Sequence, residues 1–351
     1  MRRVRGMAVG AVVLALAGMS LAACSKKEST PGPGGAKSNL KVGLAYDIGG
    51  RGDRSFNDSA ATGLDKVKGE LGIAADNVKE LSAVQGETDK ERADRLTALA
   101  DLGFNPIIAV GFAYAPALKT VAPKYPNVHF AIVDATTFDV SGPNVANLTF
   151  AEEQGSFLVG AAAALKSKAG HIGFIGGCDV PLIHKFAAGY AAGAKAVNPS
   201  IKIESKYLST PQQACSGFSD PGAGKEAAKG QYDAGADIVY QAAGGSGPGV
   251  FTAAKDAGKQ AIGVDSDQYQ TADAAVKDVI ITSMIKHVDV AVYEFVEQAA
   301  AGRFTAGTNQ FDLKAGGVDY ATSGGKIDDV KTKLDGYRTQ ISDGKITVPT
   351  S

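Results

Sequence analysis

The 351-residue chain has 36 lysine and arginine residues against 37 aspartate and glutamate residues, which gives a formal net charge of -1. No cluster of basic residues stands out, so binding to nucleic acid through its phosphates is not expected. The length is sufficient for two domains with buried cores.

The first 39 residues predict export and anchoring. Residues 1–23 combine three arginines near the start with an apolar run over 7–21, the pattern of a signal peptide that is too short to span a membrane. The sequence LAAC resembles a bacterial lipobox, so we expect cleavage before Cys24 and a lipid on its sulfur. An ordinary signal peptide followed by an unrelated cysteine is the alternative. Residues 24–39 are rich in Pro, Gly and Ser and predict a disordered tether.

From residue 40 onwards, apolar strands alternate with segments of helical periodicity, which is typical of βαβ units and a parallel sheet. The first series predicts strands at KVGLAY, PIIAVG and VHFAIVD, helices over 59–71, 87–102 and 115–124, and the segment NVANLTF leading into a long helix over 152–165.

The alternation of strands and helices then begins again, so a second, similar lobe is expected. This series predicts strands at HIGFIGG, IKIESKYL, ADIVYQAA, QAIGVDSD and VIITSMI, and helices over 180–197, 224–235, 248–257 and 287–301. The chain closes with NQFDLKAGGVDYA, expected to be hairpin-like, and a charged helix over 327–343.

Polar residues follow the apolar strands. The stretch VGLAYDIGGRGDRSFND runs from a strand into Asp47 and then through a glycine-rich loop to Phe56 and Asn57, and a later strand stops at Asp134. Open α/β folds bind ligands at the carboxyl ends of their strands. A small polar ligand is therefore expected at this edge.

The remaining cysteines, Cys178 and Cys215, would lie in an oxidising compartment after export. A disulfide between them would be worth roughly 3 to 4 kcal/mol in the chain-entropy model. Two separate buried thiols are the alternative. The chain has only four histidines and no Cys/His pair at ligand spacing, so no structural zinc site is expected.

The sequence matches no complete motif for cofactor binding or catalysis. The turn YQAAGGSGPG follows a strand, but Gly245, Gly247 and Gly249 form G-x-G-x-G, one residue short of the dinucleotide fingerprint. No nucleophile-elbow pattern is present, and the carboxylates at strand ends have no obvious acid/base partner. We therefore expect binding rather than catalysis, and no cofactor.

Six stretches in chain order resemble the motifs of one family: YDIGGRGDRSFND, FAIVDA, GGCDVPLIHKFAAGY, GADIVYQAAGGSGPGVF, GVDSDQY and TSMIKHVDVAVYE. They are similar to those of the basic membrane protein family of substrate-binding lipoproteins, the purine nucleoside receptor A-like group, over nearly all of residues 40–349. The resemblance implies an α/β, type I periplasmic-binding-protein fold with two doubly wound lobes and three hinge crossovers. Such lobes close on a purine nucleoside of the guanosine, adenosine or inosine class and deliver it to an ABC permease and its ATPase.

On this basis we expect an N-terminal lobe formed by 40–149 plus 284–305 and a C-terminal lobe formed by 150–283 plus 306–351. We also expect a monomer held at the outer face of the cell membrane by its lipid. Where the family commonly has methionine after GG, this chain has Cys178.

The resemblance implies roles for nine residues. Phe56 and Phe186 are similar to the aromatic pair that sandwiches the purine, and stacking on an aromatic face is worth about 1 to 3 kcal/mol per base. Asn57 and Asp134 resemble the residues that read the base edge. Asp265 resembles the ribose ligand, a carboxylate that accepts from both the 2' and 3' hydroxyls.

The other four residues resemble supporting contacts. Gly244 and Gly245 would let backbone amides approach the sugar closely, and Asp47 and Lys286 would supply further polar contacts.

Simpler interpretations remain open for several of these residues. Phe186 shares a helical face with apolar neighbours and could belong to the core. Asp47 and Asp267 could cap the helices that follow them, and Lys286 could be a solvated residue at a helix start. A nucleoside-processing enzyme that uses aspartates around a metal, and a surface adhesion or signalling receptor on the same fold, are the functional alternatives.

Overall fold

The computed structural model describes residues 38–135 and 140–351. The predicted signal peptide, Cys24 and nearly all of the predicted tether lie outside these residues. Within the described ranges, no helix combines the length and the apolar character needed to cross a membrane.

Six of the described strands, numbered in chain order, form the sheet of the N-terminal lobe. They are β1 (Val42–Tyr46), β2 (Val78–Ser82), β3 (Ile107–Ala109), β4 (Phe130–Val133), β5 (Val145–Phe150) and β11 (Gly307–Phe311). Their order is β11-β5-β4-β3-β1-β2, and all pairings are parallel. The helices of this lobe are α1 (Phe56–Glu70), α2 (Asp89–Asp101), α3 (Ala115–Val121) and α9 (Val288–Ala300).

The sheet of the C-terminal lobe contains six further strands. They are β6 (His171–Gly176), β7 (Lys202–Tyr207), β8 (Ile238–Ala242), β9 (Gln260–Asp265), β10 (Ile280–Lys286) and β12 (Val318–Tyr320). Their order is β12-β10-β9-β8-β6-β7, and only the β10–β12 pairing of the described strands is antiparallel. The helices are α4 (Glu152–Lys166), α5 (Pro181–Val197), α6 (Pro221–Asp233), α7 (Gly247–Asp256), α8 (Gln268–Thr271) and α10 (Lys331–Ser342).

Within the described residues the chain crosses between the lobes three times, from β5 to α4, from β10 to α9 and from β11 to β12. The predicted architecture of two doubly wound lobes joined by three crossovers is therefore confirmed. The central strands β1, β3 and β4 are buried along their whole length. Complete burial explains why they appear in the sequence as continuous apolar runs.

Three expectations about the strands differ from the structure. No strand was predicted at β2, because VKELS is only partly buried at the sheet edge and lacks an apolar run. The predicted hairpin in NQFDLKAGGVDYA is wrong: β11 pairs with β5 in one lobe, and β12 pairs with β10 in the other. The boundaries predicted at 284 and 306 also differ, since β10 lies wholly in the C-terminal sheet and β11 joins the N-terminal sheet.

Helices α4 and α5 pack at unusually close range because glycines stand at their contact. A Cβ on Gly193 would lie 1.9 Å from the carbonyl oxygen of Phe157, and a Cβ on Gly160 would lie 2.1 Å from that of Tyr190. Any side chain at these positions would force the two helix backbones apart.

We predict that Gly193→Ala destabilises the protein by about 1 to 3 kcal/mol, because the added methyl group overpacks the α4–α5 contact. Urea unfolding followed by circular dichroism checks this. The matched control is Gly230→Ala on α6, where an added Cβ meets nothing within 4 Å. That change should be neutral or stabilise by about 0.5 to 1 kcal/mol. Equal effects at the two positions would contradict the packing argument.

Candidate ligand-binding site

A cavity of about 410 Å³ lies where the carboxyl ends of the two sheets face each other. Its volume is within the range of small-molecule sites in proteins. All nine residues predicted to bind ligand line it: Asp47, Phe56, Asn57, Asp134, Phe186, Gly244, Gly245, Asp265 and Lys286. The fold thus brings together side chains from both lobes that are far apart in the sequence.

The glycine-rich loop after β1 places Phe56 as the first residue of α1, three residues earlier than the predicted helix start. The helix N-terminus is held by Asp53, whose carboxylate accepts hydrogen bonds from the backbone N–H groups of Ser55 at 2.9 Å, Asn57 at 2.8 Å and Asp58 at 3.0 Å. Asp53 also lines the cavity. Asp53 was not among the residues predicted to bind ligand, although an Asp shortly before a helix is a capping signal.

Asp47 does not cap the following helix, so that alternative is wrong. Its Oδ1 instead accepts a hydrogen bond from the backbone N–H of Ile48 at 2.8 Å. Burial raises the pKa of Asp47 to about 6, although the hydrogen bond from Ile48 acts in the opposite direction. When it is ionised, this buried carboxylate is a strong hydrogen-bond acceptor with little competition from water.

The side-chain amide of Asn57 already makes two hydrogen bonds within the protein. Its Oδ1 accepts from the backbone N–H of Asp47 at 3.1 Å, and its Nδ2 donates to the carbonyl oxygen of Ile48 at 3.2 Å. A side-chain amide has two N–H groups and two acceptor lone pairs, so one of each remains for a ligand. Asn57 therefore shapes the loop as well as facing the cavity.

Lys286 is buried rather than solvated, with 2% of its surface exposed. Its Nζ lies 2.7 Å from the Asp134 carboxylate and 3.0 Å from Glu152 Oε1. Burial by itself would lower the pKa of Lys286, but the facing carboxylates of Asp134 and Glu152 outweigh it and raise the pKa. These carboxylates engage the ammonium, which favours charge neutralisation over direct contact with a ligand.

A second lysine completes this charge cluster. Lys185 of α5 pairs with Glu152 and lies 3.2 Å from Glu153. It also donates to the carbonyl oxygen of Phe150 at 2.5 Å. Glu152 was not selected in the sequence analysis; an acidic pair opening an otherwise apolar helix was the available signal. The cluster lies where β5 crosses to α4 and β10 crosses to α9.

Three phenylalanine rings lie around the ammonium of Lys286. The ring centroids of Phe56, Phe150 and Phe186 lie 5.3 Å, 5.0 Å and 5.5 Å from Lys286 Nζ, within the range of cation–π contacts. Phe186 is also 3% exposed and belongs to the hydrophobic core. It thus contributes to the core and to the cavity wall together, and the two interpretations of this residue do not compete.

Asp134 and Asp265 occupy matching positions in the two lobes, at the carboxyl ends of β4 and β9. Both have left-handed backbones, with φ values of 74° and 63°. Such values are uncommon outside glycine and cluster at functional sites. Burial raises the pKa of each carboxyl to about 6, with Lys286 acting in the opposite direction. The hydroxyl of Ser55 donates to Asp265 Oδ2 at 2.6 Å, which joins the two lobes beside the cavity.

The cavity extends beside the edge strands β2 and β7 to an end that we call the outer end. On the N-terminal lobe this end is lined by Glu87 and Arg92, and on the C-terminal lobe by Cys215 and Phe218. The family resemblance assigned no ligand-binding role to any of these four residues. Among the described residues, no group of three or more His, Cys, Asp or Glu side chains is arranged to hold a metal ion.

Comparison with known proteins identifies the family. A family model described as ABC transporter substrate-binding protein PnrA-like matches residues 40–350. The chain belongs to this family. The ABC transporter nucleoside-binding protein BmpA of Lactococcus lactis subsp. cremoris is 34% identical over 98% of this chain and 99% of its own length. An uncharacterised lipoprotein of Pyrococcus horikoshii is 32% identical over 80% of this chain and 69% of its own length.

The fold is shared with solved members of the same transporter class. The crystal structure of an ABC transporter solute-binding protein from Aeropyrum pernix superposes with a TM-score of 0.76 at 27% identity, covering 89% of this chain and 94% of that one. The predicted type I periplasmic-binding-protein fold and the predicted family are thereby confirmed.

We predict that Lys286→Met destabilises the protein by about 3 to 5 kcal/mol at pH 8, because it leaves the buried carboxylate of Asp134 without its ion-pair partner and leaves Glu152 with Lys185 alone. Burial already raises the pKa of Asp134 to about 6, and loss of the opposing Lys286 charge would raise it further above its unfolded value, so the folded state gains protons as the pH falls. The destabilisation should therefore be smaller at pH 5 than at pH 8. Urea unfolding at the two pH values measures it.

The matched control is Lys331→Met, which removes an exposed ion pair with Asp335 at 2.5 Å on α10. That pair is solvent-screened, and its loss should cost less than about 1 kcal/mol. A Lys286 variant as mild as the control would show that the cluster does not stabilise the fold.

Proposed function

We propose that the protein is an extracytoplasmic substrate-binding lipoprotein of an ABC importer that captures a purine nucleoside between its lobes and delivers it to the permease. The observation that carries the proposal is the cavity, in which two phenylalanines and buried carboxylates from both lobes converge. The predicted lipidation at Cys24 would anchor the protein to the outer face of the membrane. The names of the Lactococcus and Pyrococcus relatives support the ligand class and the lipid anchor respectively.

The chemistry of a purine nucleoside suits these residues. A flat base can stack on Phe56 and Phe186, and stacking tolerates different bases because every base has a π-face. Vicinal ribose hydroxyls are donors, and Asp265 is a buried acceptor that can take both. Glycines at 244 and 245 leave room for backbone amides beside the sugar.

Ligand capture would couple to lobe closure. Phe56, Asn57 and Asp134 come from the N-terminal lobe, whereas Phe186 and Asp265 come from the C-terminal lobe. A nucleoside that contacts both sets stabilises the closed arrangement, because only that arrangement offers all its contacts. The closed form is then the one that the permease would recognise.

We predict that Asp265→Asn weakens guanosine binding by at least about tenfold, since one buried charged acceptor is lost. Phe56→Ala should weaken it roughly 5- to 150-fold through lost stacking. Isothermal titration calorimetry measures both. The matched control is Asp267→Asn, whose carboxylate accepts from Gln270 Nε2 at 2.7 Å and Ser323 Oγ at 2.5 Å. Unchanged affinity in both site variants would refute the proposed function.

We also predict a preference for guanosine and inosine over adenosine, by at least about tenfold at pH 8. An ionised Asp134 only accepts hydrogen bonds, and 6-oxopurines present N1–H as a donor where adenosine presents an acceptor. Because burial raises the pKa of Asp134 to about 6, protonation below that pH supplies a donor to adenosine. The guanosine-to-adenosine affinity ratio should therefore narrow at pH 5.

Calorimetry with both nucleosides at pH 5 and pH 8 measures this ratio. Asp134→Asn is the control, because its amide both donates and accepts and does not titrate. In this variant the preference for guanosine over adenosine should be small and independent of pH. A wild-type ratio that stays constant between the two pH values would contradict base recognition by Asp134.

A further inference from the structure

A loop of the C-terminal lobe covers the outer end of the cavity. Residues 209–219, here called the disulfide loop, contain the lining residues Pro211, Ala214, Cys215 and Phe218. The loop follows β7, the outermost strand of its sheet. It therefore forms a wall of the site as far as possible from the crossovers that join the lobes.

The disulfide loop has little regular structure of its own. It contains only two single turns of 3-10 helix, over Pro211–Gln213 and Ser216–Phe218. Between them, Ala214 and Cys215 have consecutive left-handed backbones, with φ values of 50° and 49°. Left-handed non-glycine residues persist only where the surroundings hold them. The conformation of this loop therefore depends on its attachments.

The attachments tie the loop to the turn after β6. Cys215 forms a disulfide with Cys178, with the two Cα atoms 5.1 Å apart, so the disulfide is present rather than two separate thiols. The hydroxyl of Ser209 donates to the carbonyl oxygen of Gly177 at 2.7 Å and accepts from the backbone N–H of Gly217 at 2.9 Å. These bonds hold the loop against the carboxyl edge of its own sheet.

The last residue of the loop reaches the other lobe. The hydroxyl of Ser219 donates to Oε1 of Gln85 at 2.6 Å, and Gln85 lies just beyond β2. Strands β2 and β7 are the outermost strands of their sheets, on the side away from the crossovers. Rotation about the crossovers separates these two edges furthest, so this hydrogen bond can form only when the lobes are closed.

We propose that Cys178 and Cys215 are positioning residues that hold the disulfide loop across the outer end of the cavity, where its Ser219–Gln85 bond slows release of the bound nucleoside. This inference rests on the proposed function. It assigns to the disulfide a role in ligand retention, in addition to any contribution to stability. Because the bond forms after closure, it should affect the dissociation rate far more than the association rate.

The test measures guanosine association and dissociation by surface plasmon resonance on the full-length protein. Gln85→Ala and Ser219→Ala should each raise the dissociation rate about twofold to tenfold, the range for one neutral hydrogen bond. Their association rates should match that of the wild type. Ser200→Ala is the matched control, because it removes an exposed hydroxyl whose hydrogen bond among the described residues lies within its own turn, to Asn198 Oδ1 at 2.9 Å.

The double variant Cys178→Ser/Cys215→Ser should raise the dissociation rate at least as much as Gln85→Ala. Adding Gln85→Ala to it should have no further effect, because the disulfide acts through the same contact. Additive effects, or dissociation rates equal to that of the wild type in the exposed variants Gln85→Ala and Ser219→Ala, would overturn the inference. A wild-type protein that binds no guanosine would instead refute the proposed function.

Discussion

The buried ammonium of Lys286 is the interaction on which the arrangement of the two lobes depends. Lys286 is the last residue of β10 in the C-terminal sheet. Its ammonium contacts Asp134, at a strand end of the N-terminal sheet, and Glu152, just after the first crossover. Charges removed from water are stable only when paired. These three side chains cannot separate without a large penalty, so the strand ends and two crossovers stay together at one end of the cavity.

The cavity consequently has two different ends. The inner end is held by the charge cluster and by aromatic rings around Lys286. The outer end lies beside the edge strands β2 and β7, where the lobes meet through exposed residues such as Gln85. Between them, Ser55 donates to Asp265 across the interface. A site that is rigid at the crossovers and separable at the far edge suits capture and release of a ligand by hinge motion.

Apolar periodicity predicted most of the fold, and its failures have a common physical cause. Fully buried parallel strands such as β1 and β4 are apolar throughout, so their positions are evident from the sequence. The edge strand β2 is stabilised by backbone pairing with β1 and needs no apolar run. The β11–β12 segment has the composition of two strands, but local pattern does not specify their partners, and each joins a different sheet.

Ordered motifs and residues at strand ends were sufficient to predict the family, the two-lobed α/β architecture and the nine residues that meet in the cavity. The folded chain alone shows how those residues interact. It pairs Lys286 with Asp134 and Glu152, engages the amide of Asn57 with its own loop, and joins Cys178 to Cys215. Hydrogen bonds and ion pairs form between groups brought within about 3 Å, and that proximity is set by chain topology over long sequence separations.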